Sequence, residues 1–124
     1  MVLALLTVLF TLARPPAAYL DTGTVHVPLT VSSWCLDTRC GAPIAASKRV
    51  ATVSQGALVR CVFGFDPTKV WVSVGGKRVA VKPAGDEVEW RATRGGGVAI
   101  TATAPAKRGT PAVYVTYVAR LRFR

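Results

Sequence analysis

Residues 112–124 read AVYVTYVARLRFR, and the spacing within this stretch decides the fold. Val113, Val115, Tyr117, Ala119, Leu121 and Phe123 occupy every second position, with Tyr114, Thr116, Val118, Arg120 and Arg122 between them. A period of two puts the two sets on opposite faces of a β-strand. The first set, wholly apolar, is read as core, and the second, carrying the arginines, as the outward face. No helical period accounts for the same residues.

The preceding segments follow the same rule. Val98, Ile100, Ala102 and Ala104 alternate with Ala99, Thr101 and Thr103, after a loop at Gly95-Gly96-Gly97. Residues 87–93 point Val88, Trp90 and Ala92 inward and Glu87, Glu89 and Arg91 outward. Gly75-Gly76 is a two-residue hairpin signal, because both positions accept positive φ without a steric cost. It joins residues 69–74, with Val70, Val72 and Val74 on one side and Lys69 and Trp71 on the other, to a returning strand over residues 78–82. Val59, Cys61, Phe63 and Phe65 form a continuous apolar face, and residues 49–53 form a short strand. Val25, Val27, Leu29 and Val31 mark one more strand, held to a sheet edge by Pro28, which has no N–H to donate. Residues 32–47, with Trp34, two cysteines, Gly41 and Pro43, read as an irregular loop. About seven short strands with regular turn signals predict an all-β protein, a single antiparallel β-sandwich.

The other end of the chain carries a different signal. Residues 1–12, MVLALLTVLFTL, are apolar throughout and give way to ARPPAA over residues 13–18. The run is shorter than the roughly 20 residues that a bilayer-spanning helix needs, and it has the length of a signal-peptide core. No Lys or Arg precedes it, which is atypical of a leader. Small residues at Thr11 and Ala13 suit cleavage after Ala13; cleavage after Ala18 is the second candidate, with Pro16 at its −3 position. The expected organisation is a leader over residues 1–18 and a sandwich domain over residues 19–124. No transmembrane span remains after cleavage, and the compartment is secreted or cell envelope.

That compartment bears on the three cysteines. Cys35 and Cys40 enclose a loop short enough for a local disulfide, which an oxidising environment preserves. Cys61, inside an apolar run, is then a buried free thiol. The competing arrangement ties Cys61 to one of the other two.

Sixteen basic residues against six acidic ones give a net charge of +10. Outside a cell such a surface meets membrane headgroups, wall polymers and stray nucleic acid. A hydrophobic fraction of 51% with 18% charged residues excludes a disordered chain.

The pattern resembles small exported immunoglobulin-like β-sandwich proteins of bacteria. The resemblance lies in a leader, a Trp/Cys segment (Ser33-Trp34-Cys35 to Cys40), a Trp strand (Glu89-Trp90-Arg91), the run GGVAITATA over residues 96–104 and a closing Tyr-Val-x-x-Val-x-Leu-x-Phe-like strand. It covers most of residues 24–124 and implies fold and compartment rather than chemistry. The chain departs from true immunoglobulin domains in one respect. Cys61 has Trp71 ten residues on, yet no cysteine stands on either of the last two strands, so the inter-sheet disulfide is missing.

Catalytic and cofactor chemistry finds little support. The single histidine, His26, lies on the polar side of an edge strand, and no G-x-S-x-G motif accompanies it. Blue copper needs two His, a Cys and usually a Met, while the only Met here is Met1. Cys35, Cys40 and His26 lack a fourth partner for zinc. Glu87 and Glu89 flank Arg91 on an exposed face and read as a solvated stripe. No catalytic, cofactor-binding or metal-ligating residue is assigned, and no cofactor. The arrangement singled out is Lys69 and Trp71 on one strand face, with Tyr114, Arg120 and Arg122 on another. Cations beside aromatic rings suit anionic polymers or sugars. The expected function is therefore a non-enzymatic, exported module contacting an anionic cell-envelope polymer or another envelope protein, with no specific nucleic acid as partner. The alternative is a protein–protein interaction module that pairs an exposed sheet edge, at His26 or the last strand, with a partner strand. The remote alternative is a small hydrolase.

Overall fold

The computed structural model describes residues 14–44 and 50–124. The apolar run of the expected leader, residues 1–12, lies outside them, as do Ala13 and residues 45–49. Eleven strands form among the described residues: β1 (Ala18–Asp21), β2 (His26–Pro28), β3 (Thr30–Leu36), β4 (Arg39–Gly41), β5 (Val50–Val53), β6 (Leu58–Phe63), β7 (Lys69–Val74), β8 (Lys77–Val79), β9 (Glu87–Arg91), β10 (Gly96–Ala104) and β11 (Val113–Phe123). They build two sheets, a smaller one in the order β2-β1-β6-β9 and a larger one in the order β4-β3-β11-β10-β7-β8. Neighbours along both orders run antiparallel; β5 joins the larger sheet by pairing parallel with the last part of β11. This is an all-β, two-sheet arrangement as predicted, with eleven strands where the turn signals predict about seven and with one parallel pairing. Among the described residues no helix is long and apolar enough to cross a membrane.

The alternating residues meet between the sheets. Leu20, Val59, Cys61, Val88 and Trp90 come from the smaller sheet, and Val72, Val74, Ile100, Ala102, Val115, Tyr117 and Leu121 from the larger, all buried. Fully burying one Val- or Leu-sized side chain contributes roughly 1.5–3 kcal/mol, so this layer is the main source of stability. The Gly75-Gly76 turn forms as expected. Val74 pairs with Lys77 across it, and both glycines have positive φ, 58° and 80°.

Four local expectations change. The single strand over residues 25–31 is two strands, because the chain leaves the smaller sheet after Pro28 and enters the larger one at Thr30. Leu29, at the crossing, is buried, and its N–H donates to the Ala18 carbonyl at 2.9 Å. The expected loop over residues 32–47 is largely a hairpin, β3 and β4, turning at Asp37 and Thr38. A bulge hid it. Thr116 faces Ser33 while Tyr117 faces Val31, so Ser32 is an extra residue, and its hydroxyl donates to the Thr116 carbonyl at 3.1 Å. The bulge breaks the period of two and turns the alternation over, so Val31 and Trp34, three residues apart, both pack toward the core. The returning strand after Gly76 ends at Val79 rather than at residue 82. The last strand, finally, is no edge. β10 flanks it on one side, and β3 then β5 flank it on the other.

The sandwich also takes in residues assigned above to the leader. Ala18, only 5% exposed, begins β1, which lies between β2 and β6 in the interior of the smaller sheet. The Ala17 carbonyl accepts the Gly64 N–H at 2.8 Å. The Pro16 carbonyl accepts the Tyr117 hydroxyl at 2.6 Å, a bond across 101 positions of sequence.

Cys35 and Cys40 face each other across the β3–β4 hairpin and are joined by a disulfide, as the spacing predicted; Cys61 is free and buried. Asp37, at the hairpin tip with φ 54°, accepts the Ala112 N–H through Oδ1 at 2.8 Å and so ties the tip to the start of β11.

Burial pushes the Cys61 thiol well above its ordinary value of 9.0 and raises the Tyr117 phenol above its ordinary 10.0, with the charge of a Cys61 thiolate adding to the second shift. The folded chain thus keeps protons at pH values where the unfolded chain sheds them. This contribution to stability is whole below the ordinary values and is lost progressively as pH rises from them toward the raised ones. The urea midpoint is expected to hold up to about pH 8.5 and then decline steadily toward about pH 11. A Cys61→Ala chain should show a shallower decline; an unchanged slope would remove the thiol from the explanation.

Candidate functional site

The five residues picked from the sequence for a ligand surface all stand on the outer face of the larger sheet. On β7, Lys69 and Trp71 alternate with the inward Val72 and Val74, and Val70 between them packs against the core. On β11, Tyr114, Arg120 and Arg122 alternate with Val113, Val115 and Leu121. Strand β10 separates the two groups, and its outward residues complete the rows. Thr103 faces Lys69 on one side and Tyr114 on the other; Thr101 faces Trp71 and Thr116. The Thr101 and Thr116 hydroxyls lie 3.0 Å apart and share a hydrogen bond.

The face has two ends. Lys69, Trp71 and Tyr114 cluster where β7 and β11 begin, with Tyr114 49% and Trp71 39% exposed. Arg120 and Arg122 lie six and eight residues further along β11, about 20 Å or more from Tyr114 at a rise of about 3.3 Å per residue. Arg78 joins the face from β8, opposite Ser73 and in one row with Ala99 and Val118. The sequence reading left Arg78 out of the site, although the Gly75-Gly76 hairpin and the alternation of residues 77–79 were enough to place it there.

Charge is divided between the two outer faces. The outward positions of the larger sheet's strands carry Lys69, Arg78, Arg120 and Arg122 and no carboxylate. The outer face of the smaller sheet holds Asp21, Glu87 and Glu89 together with Arg60 and Arg91. There Arg60 stands between the two glutamates, its Nε 3.7 Å from Glu87 and 4.0 Å from Glu89, and Arg60 and Glu89 are opposite each other in the strand register. Glu87 and Glu89 are thus part of an exposed ion-pair cluster. One face is nearly balanced, and the other is cationic.

His26 stacks on Tyr19 with ring centroids 3.8 Å apart, on the edge strand β2. Cys35 and Cys40 are committed to each other and offer no thiolate to a metal. Among the described residues, no group of three or more His, Cys, Asp or Glu side chains comes together to hold an ion. At the end of the sandwich where β7 and β11 begin, Phe65, Asp66, Lys107 and Thr110 line an open groove between the β6–β7 and β10–β11 loops. Compared with protein-family models, curated proteins and solved structures, the chain matches none.

Proposed function

We propose that this chain is an exported, non-enzymatic sandwich of the immunoglobulin-like kind that binds an anionic polymer of the cell envelope through the outer face of its larger sheet. The observation that carries the reading is the division of charge between the two faces. Four cations on strand positions that include no carboxylate produce a field that a polyanion neutralises, whereas cations spread evenly among acids would not.

Strand order supports the immunoglobulin-like part. The run β11-β10-β7-β8 has the connectivity of a G-F-C-C′ sheet, and β6 beside β9 has that of the B and E strands. The core chemistry differs. Cys61 on the B-like strand is unpaired, and Trp71 on the C-like strand faces outward instead of packing on a disulfide. The export reading takes cleavage after Ala13 over cleavage after Ala18. The first leaves the bonds of Pro16, Ala17 and Ala18 intact, and the second removes all three.

The test is retention on heparin and on vesicles of anionic phospholipid. Wild-type protein is expected to bind at low salt and to elute as salt shortens the Debye length to a few ångströms. Arg120→Glu should elute at clearly lower salt, while Arg91→Glu, an equal change of charge on the opposite face, should elute close to wild type. Absence of retention at low salt, or equal shifts for the two variants, would overturn the reading.

A further inference from the structure

We infer that the aromatic end of this face is a platform for an acidic polysaccharide that lies across the strands from Trp71 to Tyr114. The inference rests on the polyanion reading above and narrows it to one polymer class. Among the described residues, Trp71 and Tyr114 are the two aromatic side chains that count as exposed large hydrophobics, and both belong to the same sheet face. They stand two strands apart and one row out of step, since Trp71 is in the row of Thr101 and Tyr114 in the row of Thr103. Two strand spacings combined with one two-residue step put their Cα atoms about 12 Å apart.

That separation exceeds one sugar ring, so both aromatics engage together only on a chain of several sugars. The C–H face of a pyranose stacks on an aromatic ring, and Trp and Tyr supply wide apolar surfaces at small conformational cost. Between the rings the floor is made of hydroxyls, those of Thr101, Thr103 and Thr116. Their remaining donors and lone pairs match sugar hydroxyls better than hydrocarbon or headgroup phosphate. Lys69 stands opposite Thr103 and two strands from Tyr114, where its ammonium can pair with a uronate carboxylate. The surface is flat because it is a sheet face, which suits an extended polymer and not a small molecule needing enclosure.

Single-stranded nucleic acid shares the taste for cations and rings, but the arrangement favours it less. Stacked bases bring a phosphate with every nucleotide, and such grooves carry cations along the whole track. Here Lys69 is the one cation in the two rows that hold the rings; Arg78 enters in the next row, beside Trp71's strand, and Arg120 and Arg122 lie further along the face.

The experiment measures binding of a polyuronate, its carboxyl-reduced neutral form and an oligothymidylate to wild type, Trp71→Ala and Tyr114→Ala, with anionic vesicles as a probe of charge alone. Both side chains are well exposed, so the variants should keep wild-type thermal unfolding. Wild type should bind the polyuronate more tightly than its neutral form, and each substitution should weaken polyuronate binding by about tenfold or more while vesicle retention stays unchanged. Polyuronate binding that is indifferent to both substitutions would overturn the inference, while Arg120-dependent vesicle retention would leave the parent reading standing. Tighter, ring-dependent binding of oligothymidylate would replace the polysaccharide with nucleic acid. Failure to bind either vesicles or polyuronate would end both readings.

Discussion

Tyr117→Ala is expected to lose about 3–5 kcal/mol of unfolding free energy, the usual cost of truncating a core aromatic, and so to consume much of the roughly 5–15 kcal/mol that a domain has. Tyr117 is fully buried, packs against Phe63 with centroids 5.9 Å apart, and reaches from the larger sheet to the Pro16 carbonyl. Removing the ring opens a cavity between the sheets and leaves the carbonyl without its donor. Tyr117→Phe separates the two effects. It keeps the packing and deletes one hydrogen bond, so it should cost only about 1–2 kcal/mol. Urea titrations of the three proteins decide the matter. A Phe variant as damaged as the Ala variant would mean that the bond to Pro16, and not the filled core, dominates at this position.

The second large effect belongs to Leu20→Ala, expected to cost about 2–5 kcal/mol. Leu20 has no exposed surface, and its strand is paired on both sides, with Val27 of β2 and Cys61 of β6 as its register partners. A cavity at this place cannot collapse without pulling the smaller sheet apart, so the upper half of the range applies. Tyr19→Ala is the comparison. Tyr19 lies on the outer side of the same strand, stacked on His26, and should cost less than half as much. If both substitutions were mild in denaturant titrations, β1 would be a dispensable edge and its interior position in the sheet would be energetically idle.

Those two residues also mark where sequence reasoning worked and where it stopped. Tyr117 belongs to the longest alternation in the chain, and the period of two assigned it to the core without help. Leu20 sits in four residues, too few for a period, directly after two prolines and an alanine that resemble the end of a leader. Local pattern could not separate a cleavage region from a short internal strand, because what defines β1 is its partners on β2 and β6. The hairpin of β3 and β4 was obscured for another reason. One bulged residue, Ser32, moved Trp34 and Leu36 onto the face that strict alternation denies them. Gly41 records the same packing. A Cβ there would overlap the indole of Trp34, its register partner on β3, whose N–H donates to the Ala42 carbonyl, and a side chain lying over its cross-strand partner leaves no periodic trace.

The candidate surface was legible as two separate strand faces but not as one. Lys69 and Trp71 could be assigned to a common side, as could Tyr114, Arg120 and Arg122. That β10 lies between them, with Thr101 and Thr103 bridging the rows, is a fact of strand order, and order is set by long-range pairing. The division of charge between the faces was invisible for the same reason, since counting acids and bases says nothing about which sheet each occupies.

The place of β11 has a consequence for how the molecule comes into being. It comes after every other described strand, yet it pairs with β3, β5 and β10, so the larger sheet has no centre until residues 113–123 are made. A chain delivered N-terminus first can pair β1, β2, β6 and β9 early, but β3 and β5 must wait with open edges for a partner more than 60 residues downstream. Such distant pairings fold slowly and leave strand edges exposed in the interval. The larger sheet therefore stays pliable until β11 is made and becomes rigid in one step, when that strand slots between β10 and the waiting edges of β3 and β5.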